Sequence, residues 1–303
     1  MRLNVREVAA GKWRGILEAL GFSASMLNGK HQPCPLCRDG KDRFRWDDRD
    51  GSGSYFCSHC GAGSGIDLVM RFKGVDFNTA AQEIERAAGF VRPEESKPEQ
   101  SDDAKVKALR RVWKESFPLS GDSPVERYLR GRGLVVPQST VLRYHPDLAY
   151  RDGDQYLGKF NAMLALVQAP DGSGATLHRT YLNFDGTKAV VPKARKLMPG
   201  LPLSGAAIRL FPADLCVGIA EGIETAVAAS MRFSIPVWSA VSAGGLASFV
   251  PPPEAKEVVI CSDNDENMVG QKAAYELAAR LTGQGIKVRV EIPDRVGADW
   301  ADL

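Results

Sequence analysis

Several things are scarce in this 303-residue chain, and each shortage closes off a class. No apolar run approaches the roughly 20 residues that a membrane-spanning helix needs. The opening Met1-Arg-Leu-Asn-Val-Arg-Glu has no apolar core followed by a small-residue cleavage site, so no export signal is read. The expected compartment is therefore the cytoplasm, with no membrane partner. No Gly-x-x-x-x-Gly-Lys-Ser/Thr segment occurs, which argues against a P-loop nucleotide motor. Cysteine is limited to six residues and histidine to four. In a reducing compartment the spacing of four of those cysteines favours a metal over disulfides. The other two, Cys216 and Cys261, fall in apolar runs and read as buried strand residues.

Hydrophobic residues make up 44% and charged residues 25%, an ordinary balance for a soluble chain. The length suggests two or three domains. Net charge is only +2, but it is unevenly spread. Residues 1–92 carry 14 basic and 11 acidic side chains, 93–103 carry 1 and 5, 104–212 carry 17 and 8, and 213–303 carry 7 and 13. A basic middle beside an acidic end suits a molecule that holds phosphates with one part and cations with another. A merely uneven solvated surface would look the same.

Apolar spacing predicts a helix over 5–20, stopped by Gly21, and helices at 66–73 and 78–88. Residues 31–62 are rich in Gly, Asp, Arg and Cys, with strand-like pieces at 44–46 and 55–57. Residues 92–103 are polar, acidic and nearly free of apolar side chains, and read as a flexible linker. The middle opens with a helix near 104–116 and a second at Ser123-Pro124, followed by strands at 141–144, 163–168 and 176–182. From about 213 the pattern alternates: strands at 215–220, 236–240, 257–262 and 286–291, with helices at 223–232 and 268–282. Such alternation predicts a parallel sheet covered by helices. The expected fold class is thus multidomain α/β plus α+β. It divides into a zinc-binding region 1–91, the linker 92–103, a basic α+β region 104–212 and a parallel α/β region 213–303.

Cys34-Pro-Leu-Cys37 and Cys57-Ser-His-Cys60 are two Cys-x-x-Cys turns separated by 19 residues. Four thiolates give zinc a closed tetrahedral shell with Zn–S near ~2.3 Å, the pattern of a structural site. A segment this small would draw folding energy from the metal. His31 and His59 are spare ligand candidates that read better as surface residues. Between the pairs lie Lys41, Arg43, Phe44, Arg45 and Trp46. Basic and aromatic residues interleaved in this way fit single-stranded nucleic acid, with Lys41, Arg43, Arg45 and Trp46 as the contacts. Phe44, Trp46, Tyr55 and Phe56 would equally serve as the ribbon's own core, and both roles are expected, with one strand face inward and Arg43 and Arg45 outward.

Ile219-Ala-Glu221-Gly222 places a carboxylate at the end of a buried strand, and Val258-Val-Ile-Cys-Ser-Asp263-Asn-Asp265 repeats the arrangement. Ligand sites of parallel sheets collect at carboxyl strand ends. Converging carboxylates repel unless a divalent cation neutralises them, and an oxygen set suits Mg²⁺ or Mn²⁺. Glu221, Asp263 and Asp265 are the candidate catalytic, metal-binding set. Asp299 is a further acid near the rim, and Glu224 reads as an ordinary acid in the first helical turn. Ser242-Ala-Gly244-Gly245 resembles a loop whose backbone N–H groups face a phosphate. Pro192-Lys-Ala-Arg-Lys196 is a cationic loop suited to phosphate, or a solvated surface loop.

Together these residues resemble the Toprim fold of bacterial-type primases, topoisomerases and some nucleases. The segments His31-Gln-Pro-Cys-Pro-Leu-Cys37, Lys41-Asp-Arg-Phe-Arg45 and Gly61-Ala-Gly-Ser-Gly-Ile-Asp-Leu look like the zinc ribbon of phage- and plasmid-encoded primases. The satellite-phage alpha-type helicase-primase is the nearest in pattern. His178-Arg-Thr-Tyr-Leu182 and Ala298-Asp-Trp-Ala-Asp302 resemble the same mobile-element group. The resemblance implies a primase that makes RNA primers on single-stranded DNA from nucleoside triphosphates. Glu221, Asp263 and Asp265 would hold the catalytic metal. Arg179, Lys193, Arg195 and Lys196 would lie on a basic face near it, gripping template or triphosphate. A helicase is the implied partner, acting in trans or fused in a longer chain. A Toprim nuclease, or a zinc and Toprim adaptor that only clamps DNA, are the alternatives.

Overall fold

A computed structural model describes residues 5–38, 40–48, 51–91, 101–153 and 155–303. The chain forms two compact units, 1–99 and 100–303.

In the first unit, α1 (Val5–Ala9) and α2 (Trp13–Ala19) replace the single expected helix. Gly11 adopts φ +69°, a left-handed conformation that breaks the helical path there. A 3₁₀ turn (Ala24–Leu27) leads into the ribbon, whose strands β1 (Phe44–Trp46), β2 (Tyr55–Cys57) and β3 (Gly61–Gly63) pair antiparallel in that order. Helices α3 (Gly65–Lys73) and α4 (Phe77–Ala88) follow. Ser64 and Asp67 form a reciprocal capping box at the start of α3, Gly74 closes it in the left-handed region, and Asp76 caps α4 through the Thr79 N–H. Trp13, Ile16, Leu17, Phe44, Leu68, Val69 and Ile84 make one core under the ribbon. Trp13 packs so closely that a Cβ at Gly65 would lie 2.4 Å from its ring.

The second unit begins with Ser101, which caps α5 (Asp102–Lys114) through the Ala104 N–H. Residues 101–103, expected in the linker, therefore belong to the helix start. The rest of that expected segment, 92–100, lies outside the described residues. Next come β4 (Phe117–Pro118) and α6 (Pro124–Gly131), then β5 (Leu142–Asp152), β6 (Gln155–Gln168), β7 (Gly174–Leu182) and β8 (Arg195–Leu197). These five strands form one antiparallel sheet in sequence order. Part of the expected cationic loop 192–196 is thus strand.

The last section alternates as expected: β9 (Cys216–Ala220), α7 (Ile223–Phe233), β10 (Val237–Ser239), α8 (Ala243–Ser248), β11 (Glu257–Cys261), α9 (Val269–Gly283) and β12 (Lys287–Glu291). All pairs are parallel, in the order β10-β9-β11-β12. Residues 217–220 and 258–261 are fully buried, as helix-covered central strands require. Edge strand β12 is half exposed and charged through Lys287, Arg289 and Glu291, which blunts its open edge. One face of this sheet shares a core with the antiparallel section: Ala220, Val237, Val259 and Cys261 pack with Leu142, Met163, Val167, Leu129 and Ile208. The two sections therefore act as one frame.

Candidate metal centres and phosphate site

The four ribbon cysteines meet. Their sulfurs all lie within 4.8 Å of one another, with Cys34–Cys60 at 3.8 Å and Cys37–Cys57 at 4.0 Å. Among the described residues, no other set of potential ligand atoms converges so closely. Cys34 and Cys57 are buried. Burial, and then hydrogen bonding among the crowded sulfurs, pushes the Cys60 thiol up to about 12. Several thiolates therefore cannot share this space without a cation. The Leu36 and Cys60 N–H groups point at Cys34 and Cys57 sulfurs, 3.4 Å away in each case, as in a thiolate-metal cradle. The donor set fits zinc.

The ribbon's strand alternation sorts its aromatics. Phe44, Trp46, Tyr55 and Cys57 face inward. Trp46, expected at the nucleic-acid surface, is 6% exposed and its indole N–H donates to the Gly53 carbonyl at 3.0 Å, so its ring has no face left for a base. The outward aromatic is Phe56, 48% exposed and paired directly across from Arg45. Phe56, expected in the ribbon's core, instead faces outward because it alternates with buried Tyr55 and Cys57 along β2. Trp46 drew attention only because it follows Arg45. Lys41 is exposed, and Arg45 pairs with Asp47 at 2.8 Å. Replacing Phe56 with alanine is expected to weaken single-stranded DNA binding about fivefold to a hundredfold by removing one stacking platform. Trp46→Ala should instead melt the ribbon. Fluorescence titration of both variants, beside a thermal melt, checks the split.

The strand order of the parallel sheet reverses between β9 and β11, because the chain moves from β9 to β10 on one side and returns to β11 on the other. Such a switch point leaves a crevice at the carboxyl ends of the two strands. Glu221 follows β9 directly, and Asp263 follows β11 by two residues. Both are partly buried, whereas Asp265 is exposed on the next turn. Burial, then the charges of Asp299, Glu221 and Asp265, push the Asp263 carboxyl up to about 7. Burial and the Asp265 charge likewise raise Glu221, opposed by the Ala243 N–H and by Arg195. Asp263 Oδ1 is buried without a hydrogen-bond partner. No ion pair reaches Glu221, Asp263 or Asp265 among the described residues. A buried, unpartnered carboxylate oxygen within an all-oxygen acidic set fits a hard divalent cation. The carboxylates are less converged than the cysteines, and Asp265 stands furthest out.

Arg195 and Lys196 are neighbours on a strand, so they point to opposite faces. The expectation of one basic face is therefore corrected. Arg195 turns toward the acidic region and pairs with Glu224 at 2.9 Å. Arg179 and Lys196, cross-strand partners, turn the other way. Arg179 donates to the Leu197 carbonyl at 2.9 Å and the Tyr181 hydroxyl at 3.1 Å, and Lys196 donates to the Arg151 carbonyl at 2.6 Å over the Tyr150 ring. Lys193 is exposed, its backbone N–H bound by the Tyr150 hydroxyl. Gly244 sits exposed in the first turn of α8, with open space where a Cβ would stand. Two unexpected cations join Arg195. Arg132 lies 3.8 Å from both Asp299 and Asp302. Lys188 is held below lysine's usual value by partial burial and then by Arg195, with Glu224 and Asp299 opposing. No local pattern marks either residue, because long-range packing brings them to the site.

Residues 29–66 match the zinc-binding domain of primase-helicases, 216–303 match the Toprim domain, and 103–210 match a domain of unknown function, DUF7146. The chain carries a primase-type zinc ribbon and a Toprim domain. Similar solved structures include the zinc-binding and RNA polymerase domains of the Aquifex aeolicus primase, at 17% identity and TM-score 0.45 over 100% of this chain and 82% of that one. The primase fragment of the bacteriophage T7 primase-helicase protein shares 16% identity, TM-score 0.38, over 90% and 92%. A DNA primase domain from Pseudomonas aeruginosa shares 14%, TM-score 0.43, over 67% and 73%. None of these likenesses carries a residue-by-residue correspondence. The Toprim domain places Glu221 and Asp263 at its switch point, and the DUF7146 section supplies Arg132, Lys188 and, from β8, Arg195. No helix among the described residues is long and apolar enough to cross a membrane.

Proposed function

We propose that this chain is a primase, copying single-stranded DNA into short RNA primers from nucleoside triphosphates. The observation that carries the reading is the pairing, in one chain, of a primase-type zinc ribbon with a Toprim sheet whose switch point holds Glu221 and Asp263, the latter with a buried carboxylate oxygen that has no hydrogen-bond partner. The ribbon would grip template through Phe56, Arg45 and Lys41. Glu221 and Asp263, with Asp265 closing from its exposed turn, would hold Mg²⁺ or Mn²⁺. That ion, when bound, supplies charge stabilisation at the reacting phosphate and its leaving oxygen. Arg195, Lys188 and Arg132 would receive the triphosphate oxygens, with the exposed Gly244 turn and Lys193 at the margin. A helicase acting in trans or fused, and replication of a phage, plasmid or other mobile element, belong to the same proposal.

The test is labelled-nucleotide incorporation on single-stranded DNA with Mg²⁺ or Mn²⁺. Short products that require both template and triphosphates support the primase. Degradation of the DNA without triphosphates supports the nuclease. Binding with neither reaction, with and without a helicase, leaves the adaptor.

A further inference from the structure

We propose that Glu224 is a positioning residue that clamps the Arg195 guanidinium from beneath and fixes it as a phosphate-facing cation beside the carboxylates. The inference rests on the primase reading for the identity of the phosphate, a nucleoside triphosphate.

Glu224 is the second residue of α7 and only 4% exposed. A carboxylate there is costly unless it is paired and hydrogen-bonded. Two partners arrive from distant chain. The Tyr128 hydroxyl, from α6, donates to Oε1, and Arg195 Nη2, from β8, donates to the same oxygen at 2.9 Å. Burial alone would raise the carboxyl, but the Arg195 charge and the Tyr128 hydroxyl hold it below its usual range. Tyr128 itself is pushed up to about 12 by burial and then by Glu224, so it stays a donor. His178, on the same face of β7, is pushed down to about 4, by burial first, and remains neutral.

The pair is asymmetric. The Glu224 side chain is 5% exposed, whereas that of Arg195 is 45% exposed. The guanidinium is held by Glu224 and the Tyr128 hydroxyl, while nearly half of the Arg195 side chain stays open. The charge of Arg195 also reaches Glu221 and lowers it. A free arginine loses rotamer freedom when it grips a ligand, whereas one clamped on folding has already lost it. A planar fork with open donors matches phosphate oxygens.

The same contacts would also serve as a mere bolt between α6, β8 and α7. A double-mutant cycle separates the two roles. Glu224→Gln keeps an acceptor for Tyr128 and nearly the same shape. Glu224→Gln and Arg195→Gln, singly and together, are assayed for primer synthesis against nucleoside triphosphate concentration, for calorimetric binding of ATP with Mg²⁺, for template affinity and for thermal melting. Each single change is expected to raise KM and the ATP Kd about tenfold, the size of a lost charge-assisted contact, with kcat within about twofold. The double variant should be about tenfold weaker, not a hundredfold, and template affinity should stay constant. A hundredfold loss in the double variant, or a Glu224→Gln protein with lowered melting but unchanged KM and Kd, overturns the clamp and leaves the primase reading intact. Coupled loss of ATP binding in a protein that makes no primers supports the clamp and removes the primase reading. A wild type that neither synthesises nor binds ATP overturns both.

Discussion

Replacing Asp263 with asparagine is expected to abolish nucleotide incorporation while raising the melting temperature of the metal-free protein. Asp263 ionises near 7 in the fold, against 3.8 ordinarily, because burial and the charges of Asp299, Glu221 and Asp265 disfavour the anion. Its folded value is raised, so below about pH 4 the group is protonated in both states and costs nothing. Between about 4 and 7 the unfolded chain releases the proton first, and native stability falls as pH rises. Above about 7 the loss is complete. The shift corresponds to at most roughly 4 kcal/mol, and about half that after allowing for solvent screening at a partly open site. For a unit of this size asparagine should add roughly 4–8 °C at pH 8 without metal. It should also flatten the slope of melting temperature between pH 4 and 7. Activity should move the other way, by about a thousandfold or more, because asparagine is a neutral, weaker ligand for a cation whose electrostatic work is worth several kcal/mol. Saturating Mg²⁺ should stabilise wild type more than the variant. Calorimetric melts across pH, with and without Mg²⁺, and an incorporation assay give both readouts. Equal activity in the variant, or a lower melting temperature at pH 8, would sink this account of the site.

A destabilised carboxylate at a strand end is what a binding site gives up in stability for function. Its place could be read from sequence, because strand alternation with helices, the Glu221-Gly step and Asp263-Asn-Asp265 are local patterns. The four cysteines were legible for the same reason: ligand spacing is a short-range property. The second half of the site was not. Whether Arg195 or Lys196 faces the acids depends on which face of β8 meets the Toprim sheet, and that is set by pairing β7 with β8, Thr180 opposite Arg195. Glu224 looked like a routine helix-start acid until α6 brought Tyr128 to it from 96 residues away. Trp46 misled for a smaller reason, since basic neighbours say nothing about the direction of the ring between them. The apolar spacing over 5–20 runs straight through Gly11, whereas its left-handed conformation ends α1.

Removing zinc should unfold the first unit and spare the second. The ribbon contributes Cys34, Phe44, Trp46, Tyr55 and Cys57 to the same core that receives Trp13, Leu68 and Ile84. Helices α1 and α2 have five and seven residues, too short to persist without that core. Zinc at an all-thiolate site provides on the order of 10–16 kcal/mol of apparent binding energy at neutral pH, comparable with the whole stability of a small domain. Without metal, burial raises the Cys34 and Cys60 thiols, and the cluster no longer crosslinks the two turns. A strong chelator should therefore abolish one calorimetric transition, that of residues 1–99, and release one zinc per chain. The transition of the Toprim-bearing unit, with its separate cores, should stay in place. Cys57→Ser should reproduce the loss most fully, because that sulfur is wholly buried beneath the ribbon. Cys60→Ser, at a partly exposed position, should leave residual metal binding. Template binding should fall with the first unit, whereas ATP–Mg²⁺ binding, placed here on the second unit alone, should survive chelation once Mg²⁺ is restored. A first unit that loses its zinc and still melts cooperatively at the same temperature would mean that the helical core, not the metal, holds the ribbon in shape.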